Sequence, residues 1–327
     1  MTKYLITGGA GFIGGHLVDF LLQDGVKPQD IRLLVTSREK LKNLTNKEYD
    51  VVIGDIRNKK QVNEAVKGVS VIYHLATKTG VGDGSYEYLR DTNVTGTKNL
   101  VEAAVKNDVK KFIFFSSVGV YGFPSTFGDI RNVDESQKRT NTVGYGRTKH
   151  EAEDIVLEAC AGSNMKYIII RPTIVFGPGS KDSLTQLINA VKKGYFFFIG
   201  DGSKKMDYVY VKDVVRTARR LEKSKVVNED FIVGPEDHLT QRQVVNIISE
   251  ALGVKAPKII LPKNFAFFIS YIIQYLSQSF GIKPVLFPDR VKVLSSDFYF
   301  NTRKLKKFGF IPKYSFKEGI AETVIGV

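Results

Sequence analysis

Gly8, Gly11 and Gly14 stand at every third position just after the apolar run Lys3-Tyr4-Leu5-Ile6, and an amphipathic segment opens at the last of them. Few folds satisfy that placement. A strand must end, the backbone must turn sharply, and a helix must start within seven residues. Glycine permits the tight turn and a close approach of backbone to ligand. The helix start adds unpaired N–H groups and the positive end of a dipole, which suit a pyrophosphate. The same turn also serves packing alone, so its context decides its meaning.

That context runs along the first half of the chain. Residues 3–7, 31–35, 50–53, 71–74, 111–116 and 167–171 are short apolar runs, continuous rather than alternating, and read as strands covered on both faces. Residues 14–23, 60–66, 92–107 and 145–161 carry helical periodicity. Strand and helix in alternation predict crossovers and a parallel sheet with helices on both sides. After Arg171-Pro172 the order becomes irregular. Gly177-Pro178-Gly179 breaks the chain, residues 183–193, 241–252, 264–280 and 302–308 read as helices, and residues 208–211 and 230–233 as strands. The predicted architecture is α/β. A doubly wound parallel-sheet domain spans residues 1–172, and residues 207–236 return to it. Residues 173–206 and 237–327 form a smaller mixed α/β substrate lobe. No repeat or low-complexity linker separates the two.

Composition removes several classes. With 43% hydrophobic and 25% charged residues the chain is neither disordered nor fibrous. A net charge of +14 suits an anionic partner. The basic residues are scattered, however, with pairs such as Lys59-Lys60 and Lys204-Lys205 the densest groups, so no nucleic acid is expected. Cys160 is the one cysteine, and the four histidines show no ligand spacing, so neither a disulfide nor a metal is expected and a cytoplasmic setting is. No charged leader with an apolar block precedes the first strand, which argues against a signal peptide. Residues 265–280 are the most apolar stretch. Ser270, Gln274, Ser277 and Gln278 interrupt it at helical spacing. It reads as an amphipathic helix over a core or apolar pocket, without stable membrane insertion.

Tyr145 and Lys149 are four apart, so a helix puts them on one face. A phenol with a pKa of about 10 is a poor base, and a nearby ammonium favours the phenolate. Ser117 ends the fifth predicted strand, where its hydroxyl can bond an oxygen on which charge develops. Tyr-x-x-x-Lys pairs are common on helix surfaces and usually solvated. The upstream Ser116-Ser117-Val118-Gly119-Val120-Tyr121-Gly122 and the glycine turn give this pair its meaning. Ser116 competes with Ser117; counting back from Val120-Tyr121 favours Ser117 and leaves Ser116 bonded to the backbone.

Further motifs follow in order: Gly54-Asp55-Ile56-Arg57, His74-Leu75-Ala76-Thr77, Asn93-Val94-Thr95-Gly96-Thr97, Arg171-Pro172 and Gly200-Asp201-Gly202. With these the chain resembles, over most of its length, the extended short-chain dehydrogenase/reductase superfamily, also described as the NAD-dependent epimerase/dehydratase family. The resemblance implies a Rossmann domain and an NAD(P)-dependent enzyme. Ser117 would bond the reacting oxygen, Tyr145 transfer the proton, and Lys149 tune Tyr145 and contact the nicotinamide ribose. It implies cofactor contacts from Gly8, Gly11, Phe12, Ile13 and Gly14, and from Thr36, Ser37 and Arg38. Asp55 and Ile56 would sit near the adenine, with Leu75, Ala76, Thr77, Asn93, Ser116 and Pro172 completing the set.

The second strand ends Thr36-Ser37-Arg38 without a carboxylate that would repel a 2′-phosphate, which favours NADP slightly over NAD. Three anion contacts usual in the family's nucleotide-sugar enzymes are missing. Ile174 stands where an asparagine is common, Met206 precedes Asp207 where an arginine is common, and Leu294-Ser295-Ser296-Asp297 has no arginine. Lys204, Lys205 and Arg290 are candidate replacements. The second lobe is rich in aromatics, among them Tyr195, Phe196, Phe197, Phe198, Phe265, Phe267, Phe268, Tyr271 and Tyr275, which suits an apolar pocket. The resemblance therefore points to the hydroxysteroid-dehydrogenase-like or dihydroflavonol-reductase-like branch, acting on a secondary alcohol or ketone of a small molecule. The alternatives are a nucleotide-sugar epimerase or dehydratase using bound NAD, and a non-catalytic dinucleotide-binding scaffold or sensor. The family also implies a homodimer, through the helices beginning near Asn93 and Tyr145.

Overall fold

Seven runs rich in Val, Ile, Leu and Phe form one parallel sheet: β1 Tyr4–Thr7, β2 Ile31–Val35, β3 Asp50–Ile53, β4 Val71–His74, β5 Lys111–Phe115, β6 Lys166–Pro172 and β7 Glu229–Val233. The computed structural model describes residues 2–44, 48–79, 86–140, 143–181, 183–280 and 287–326. The strands lie in the order β7-β6-β5-β4-β1-β2-β3. Each neighbouring pair is parallel; Tyr4, for example, lies between Ile31 and Val71. The order reverses between β1 and β4, and that reversal opens a crevice at the carboxyl ends of the strands.

The longer helices are α1 Phe12–Gln23, α2 Lys59–Val66, α3 Gly96–Lys106, α4 Gly144–Ala161, α5 Ser183–Lys192, α6 Val211–Lys223, α7 Gln241–Leu252, α8 Lys263–Phe280, α9 Pro288–Leu294 and α10 Phe316–Val324. Successive strand residues point to opposite faces, and both are covered. Ile6, Leu33 and Ile168 pack with Leu17, Val18 and Leu21 of α1 and with Val214, Val215 and Ala218 of α6. Leu5, Leu34 and Ile169 pack instead with Val62 of α2, Leu100 and Ala104 of α3, and Ala152 and Val156 of α4. This double cover is why the strands carry no polar alternation.

Three small parallel pairs build the second lobe: Ile174–Phe176 with Tyr208–Tyr210, Phe198–Ile199 with Ile260–Leu261, and Ile130–Val133 with Phe298–Phe300. Tyr208–Tyr210 thus pairs outside the main sheet, while β7 joins its edge. The segment predicted as one helix over 92–107 starts with a π-helical turn, Asp91–Thr95, before α3. There the Thr97 hydroxyl donates to the Asn93 carbonyl at 2.6 Å.

Residues 265–280 do form a helix, but its faces are the reverse of those expected. Ser270 is buried, its hydroxyl donating to the Phe267 carbonyl at 2.7 Å. Ala266 packs with Ile199 and Val291. Phe265, Phe268, Tyr271, Ile272 and Leu276 face outward. The small residues admit close packing, and the serine satisfies its hydroxyl within its own helix, so polarity does not mark the solvent side. Among the described residues no helix is long and apolar enough to cross a membrane.

Candidate active site

The carboxyl ends of β1, β4 and β5 meet at the crevice. Gly8 has φ +72°, and a Cβ there would lie 2.7 Å from the Ala76 nitrogen. A Cβ on Gly14 would lie 2.1 Å from the Gly8 oxygen. Glycine is therefore required at both points for the turn to pack against Leu75-Ala76 at the end of β4. The Gly11 N–H closes the turn onto the Gly8 carbonyl at 2.9 Å. α1 has no side-chain cap and no acid in its first turn, so the amides at Phe12, Ile13 and Gly14 lack intrahelical partners. An anion fits that arrangement.

Below the turn a chain of polar groups ties the strands together. Ala76 N–H donates to the Thr7 hydroxyl at 3.2 Å, and that hydroxyl meets His74 Nδ1 at 2.6 Å. His74 Nε2 meets the Thr97 hydroxyl at 2.9 Å. Thr97 is already committed as donor to Asn93, so Nε2 carries the imidazole proton and Nδ1 accepts from Thr7. Burial, reinforced by Lys149, pulls His74 down to about 3, so it is neutral. It serves as a spacer of fixed tautomer.

Asn93, in the π turn, spends its whole amide on the surrounding loops. Its oxygen accepts Lys78 N–H at 2.7 Å and the Thr77 hydroxyl at 3.0 Å. Its nitrogen donates to the Lys78 carbonyl at 2.9 Å and the Thr148 hydroxyl at 3.0 Å. Thr148 in turn donates to the Tyr145 carbonyl at 2.7 Å. The loop after β4 is thereby fastened to the first turn of α4, which carries Tyr145 and Lys149.

Tyr145 is half-buried as a residue, yet its hydroxyl is enclosed by protein and hydrogen-bonded to the Thr77 side chain. Burial pushes the phenol up to about 12. Lys149 is buried, with Nζ 4.3 Å from the centre of the Phe114 ring. Burial pulls it down to about 7, against the attraction of Glu153. Both shifts run opposite to a simple phenolate–ammonium pairing, because desolvation disfavours either charge.

Ser117 lies two residues past β5 in extended conformation, and its Oγ accepts the Gly119 N–H at 3.0 Å. Its own O–H remains available to a further acceptor. The neighbouring Ser116 hydroxyl is buried and has no partner among the described residues, which corrects the expectation that it bonds to the backbone; only its N–H does so, to the Ile170 carbonyl. An orphaned hydroxyl beside the glycine cradle is what a site for a polar ligand would leave.

The outer residues are also placed. Thr36 and Arg38 are exposed at the tip of β2, and Ser37 stands before the short 3-10 turn Arg38–Asn43 without a side-chain cap bond to it. Arg57 holds the Asp55 carboxyl below the usual carboxylate range. Ile56 is buried against Gly96, where a Cβ would come within 2.6 Å of it. Pro172 is the buried last residue of β6.

Sequence reasoning missed the support behind Lys149. Glu153, one turn further along α4, is fully buried and bonds Arg171 through both carboxylate oxygens, at 2.9 and 2.7 Å. Arg139 reaches Glu153 at 3.1 Å, and Asp230 and the Tyr121 hydroxyl also bind Arg171. The i,i+4 spacing of Lys149 and Glu153 was the available signal.

In the second lobe Asp207 is buried, where its carboxyl accepts the Phe300 N–H at 2.9 Å and meets His238 at 2.8 Å; burial raises it. Lys204 is engaged with Asp129 and Asp297 at 3.5 and 3.4 Å, and Lys205 Nζ lies over the Tyr299 ring. Of the lobe's aromatics Phe196 and Phe198 are core, whereas Tyr195, Phe265, Phe268, Tyr271 and Tyr275 are exposed. A cavity of about 390 Å³ lies elsewhere, beside Tyr208, Tyr210 and Tyr314, and none of Ser117, Tyr145 or Lys149 lines it.

Comparison with known proteins adds the relatives. The model of the 3-beta hydroxysteroid dehydrogenase/isomerase family matches residues 5–263. A 3beta-hydroxysteroid-dehydrogenase/decarboxylase, isoform 1, of Arabidopsis thaliana is 29% identical over 98% of this chain and 78% of its own. The N-acetyl-alpha-D-glucosaminyl-diphospho-ditrans,octacis-undecaprenol 4-epimerase of Escherichia coli O157:H7 is 28% identical over 98% and 93%. The crystal structure of UDP-glucose 4-epimerase from Thermotoga maritima with UDP-glucose superposes with a TM-score of 0.76 at 24% identity, over 99% of this chain and 98% of that one, which shows a shared fold.

Proposed function

The chain belongs to the 3-beta hydroxysteroid dehydrogenase/isomerase family, and on that premise we propose that it interconverts a secondary alcohol and a ketone on a hydrophobic molecule, using a nicotinamide dinucleotide. The observation that carries this reading is Tyr145 and Lys149 one turn apart on α4, at the carboxyl end of the sheet that also bears Ser117 and the glycine turn. The amides of Phe12, Ile13 and Gly14 would hold the pyrophosphate, with Thr36, Ser37 and Arg38 at the adenosine ribose. Asp55 and Ile56 would flank the adenine, and Leu75, Ala76, Thr77, Asn93, Ser116 and Pro172 would complete the cofactor's surroundings.

When bound, the nicotinamide accepts or supplies the hydride. Tyr145 Oη takes up the alcohol proton, or returns it to the ketone oxygen. Ser117 donates its free O–H to that oxygen and so stabilises charge growing there. Among the described residues Lys149 has no hydrogen-bonded oxygen acceptor; ribose hydroxyls would supply acceptors, favour its ammonium form and draw Tyr145 toward phenolate. Tyr145→Phe is expected to abolish turnover of reduced coenzyme while leaving coenzyme affinity within a factor of about two. Retained turnover would refute the assignment.

Cofactor choice turns on the tip of β2. Thr36 and exposed Arg38 favour NADP, because the first carboxylate, Glu39, comes only after the strand tip in the first turn of the 3-10 helix, and the ratio of the two coenzymes' dissociation constants in wild type and Arg38→Ala decides it. An apolar substrate is favoured because Ile174 and Met206 supply no anion contact and Lys204 is taken up by Asp129 and Asp297. The second reading, an epimerase that keeps its coenzyme bound, is favoured by the 28% identity to the undecaprenol-linked sugar epimerase. Copurified coenzyme with no net turnover selects it.

A further inference from the structure

We propose that Thr77 is a positioning residue for the proton transfer, its hydroxyl turning from Asn93 to Tyr145 Oη as that oxygen loses its proton. This role rests on the reading that Tyr145 exchanges the proton. A threonine hydroxyl has one hydrogen to donate and two lone pairs. Around Thr77 Oγ1 stand the Tyr145 hydroxyl, Asn93 Oδ1 at 3.0 Å and the Lys78 carbonyl at 3.4 Å. The two carbonyl oxygens only accept. While Tyr145 is a neutral phenol, its O–H donates to Thr77, and Thr77 donates onward to Asn93. Once Tyr145 has delivered its proton to a ketone oxygen, the phenolate only accepts, and two oxygens would face each other with no hydrogen between them. Rotation about the Thr77 C–O bond removes that conflict. The O–H swings to the phenolate and makes a charge-assisted bond, the stronger class. Asn93 Oδ1 keeps the Lys78 N–H at 2.7 Å, so the swing leaves no bare acceptor behind. Thr77 retains its own hydrogen throughout, and when Oη regains a proton the hydroxyl turns back.

The backbone holds Thr77 at this post. Ala76 N–H is bonded to the Thr7 hydroxyl, and Lys78 is bonded to Asn93 through both its N–H and its carbonyl. The residues on either side are thus pinned, and the β-branched side chain has few rotamers open to it. The charged groups nearby are occupied elsewhere or neutral. Lys149 Nζ lies over the Phe114 ring, His74 is neutral, and Lys78 Nζ lies 4.0 Å from the centre of the Tyr88 ring. Burial raises the Tyr145 phenol, and among the described residues the Thr77 hydroxyl is the side chain that draws it back down.

The test follows the ionisation of Tyr145 itself and needs no substrate. The full chain is produced with difluorotyrosine in place of tyrosine, because ring fluorines lower a phenol's pKa and bring its titration toward neutral pH. The fluorine signal of Tyr145 is the one missing from Tyr145→Phe, and its midpoint is read against pH. Thr77→Val removes the hydroxyl, keeps the branched shape and falls at an exposed position. Its Tyr145 midpoint is expected about one pH unit above wild type, which makes the phenolate about tenfold rarer at any pH below both midpoints. Thr77→Ser keeps the O–H and is expected to restore the wild-type midpoint. The signals of buried Tyr73 and Tyr121 are expected to stay where they are and so control for the fold. A midpoint unmoved or lowered in Thr77→Val, one raised equally in Thr77→Ser, or a rise shared by Tyr73 and Tyr121 overturns the proposal. So does a wild-type Tyr145 that stays neutral until the chain unfolds. Turnover retained in Tyr145→Phe would instead sink the assigned reaction and leave this titration standing, so the two failures are distinguishable.

Discussion

Lys149→Met should make the coenzyme-free protein more stable and inactive. Lys149 is buried over the Phe114 ring, and burial lowers it from 10.5 to about 7. That difference corresponds to a ceiling of about 5 kcal/mol for holding the ammonium in the fold at low pH. Local relaxation and lost contact with the Phe114 ring reduce the gain from a methionine of similar length to about 2–3 kcal/mol at pH 7. The sign follows from proton counts. Between about 7 and 10.5 the unfolded chain holds a proton that the folded chain has released, so wild-type stability rises with pH across that window. The advantage of the methionine is largest below it and fades toward its upper end. Urea unfolding of both proteins at several pH values, without coenzyme, measures this directly. A variant no more stable than wild type at pH 7, or a difference that does not change with pH, would refute the burial argument.

Two other perturbations test the scaffold. Gly14→Ala puts a methyl 2.1 Å from the Gly8 oxygen, so coenzyme affinity should fall by about 100-fold or more, read by calorimetry with circular dichroism as the folding control. Asn93→Ala removes three hydrogen bonds to the β4 loop and one to Thr148 of α4, which should cost about 3 kcal/mol in urea unfolding and lower turnover more than coenzyme binding.

The central sheet was legible because its strands are buried on both faces, and an unbroken run such as Lys111–Phe115 has few other uses. The glycine turn was legible because Gly8 and Gly14 answer to backbone distances that no other residue meets. Of the small pairs only Tyr208–Tyr210 was read as a strand; its partner Ile174–Phe176 and both members of the other pairs were not. Phe198–Ile199 is two residues long and acquires meaning only when Ile260–Leu261 arrives beside it. The outward side of α8 was misread for a related reason: a sequence shows that two faces differ, but the neighbours decide which is covered, and here Ile199 and Val291 lie on the side of Ala266. Spacing likewise put Tyr145 and Lys149 on one face, while their protonation depended on enclosure by residues far away in the chain. Ser116 is the local version of the same lesson, since only the finished fold could show its hydroxyl without a partner.

The strand Phe298–Phe300 reaches back to Ile130–Val133, and the Phe298 N–H and carbonyl are both bonded to the backbone around Met206, at Lys205 and Asp207. Three stretches separated by long intervals of chain are thus stitched at one seam. During translation the earlier two must wait, unpaired, until the last leaves the ribosome. For an engineer the same seam means that the second lobe cannot be exchanged as one cassette: a graft that omits any of the three stretches leaves the others with open backbone groups.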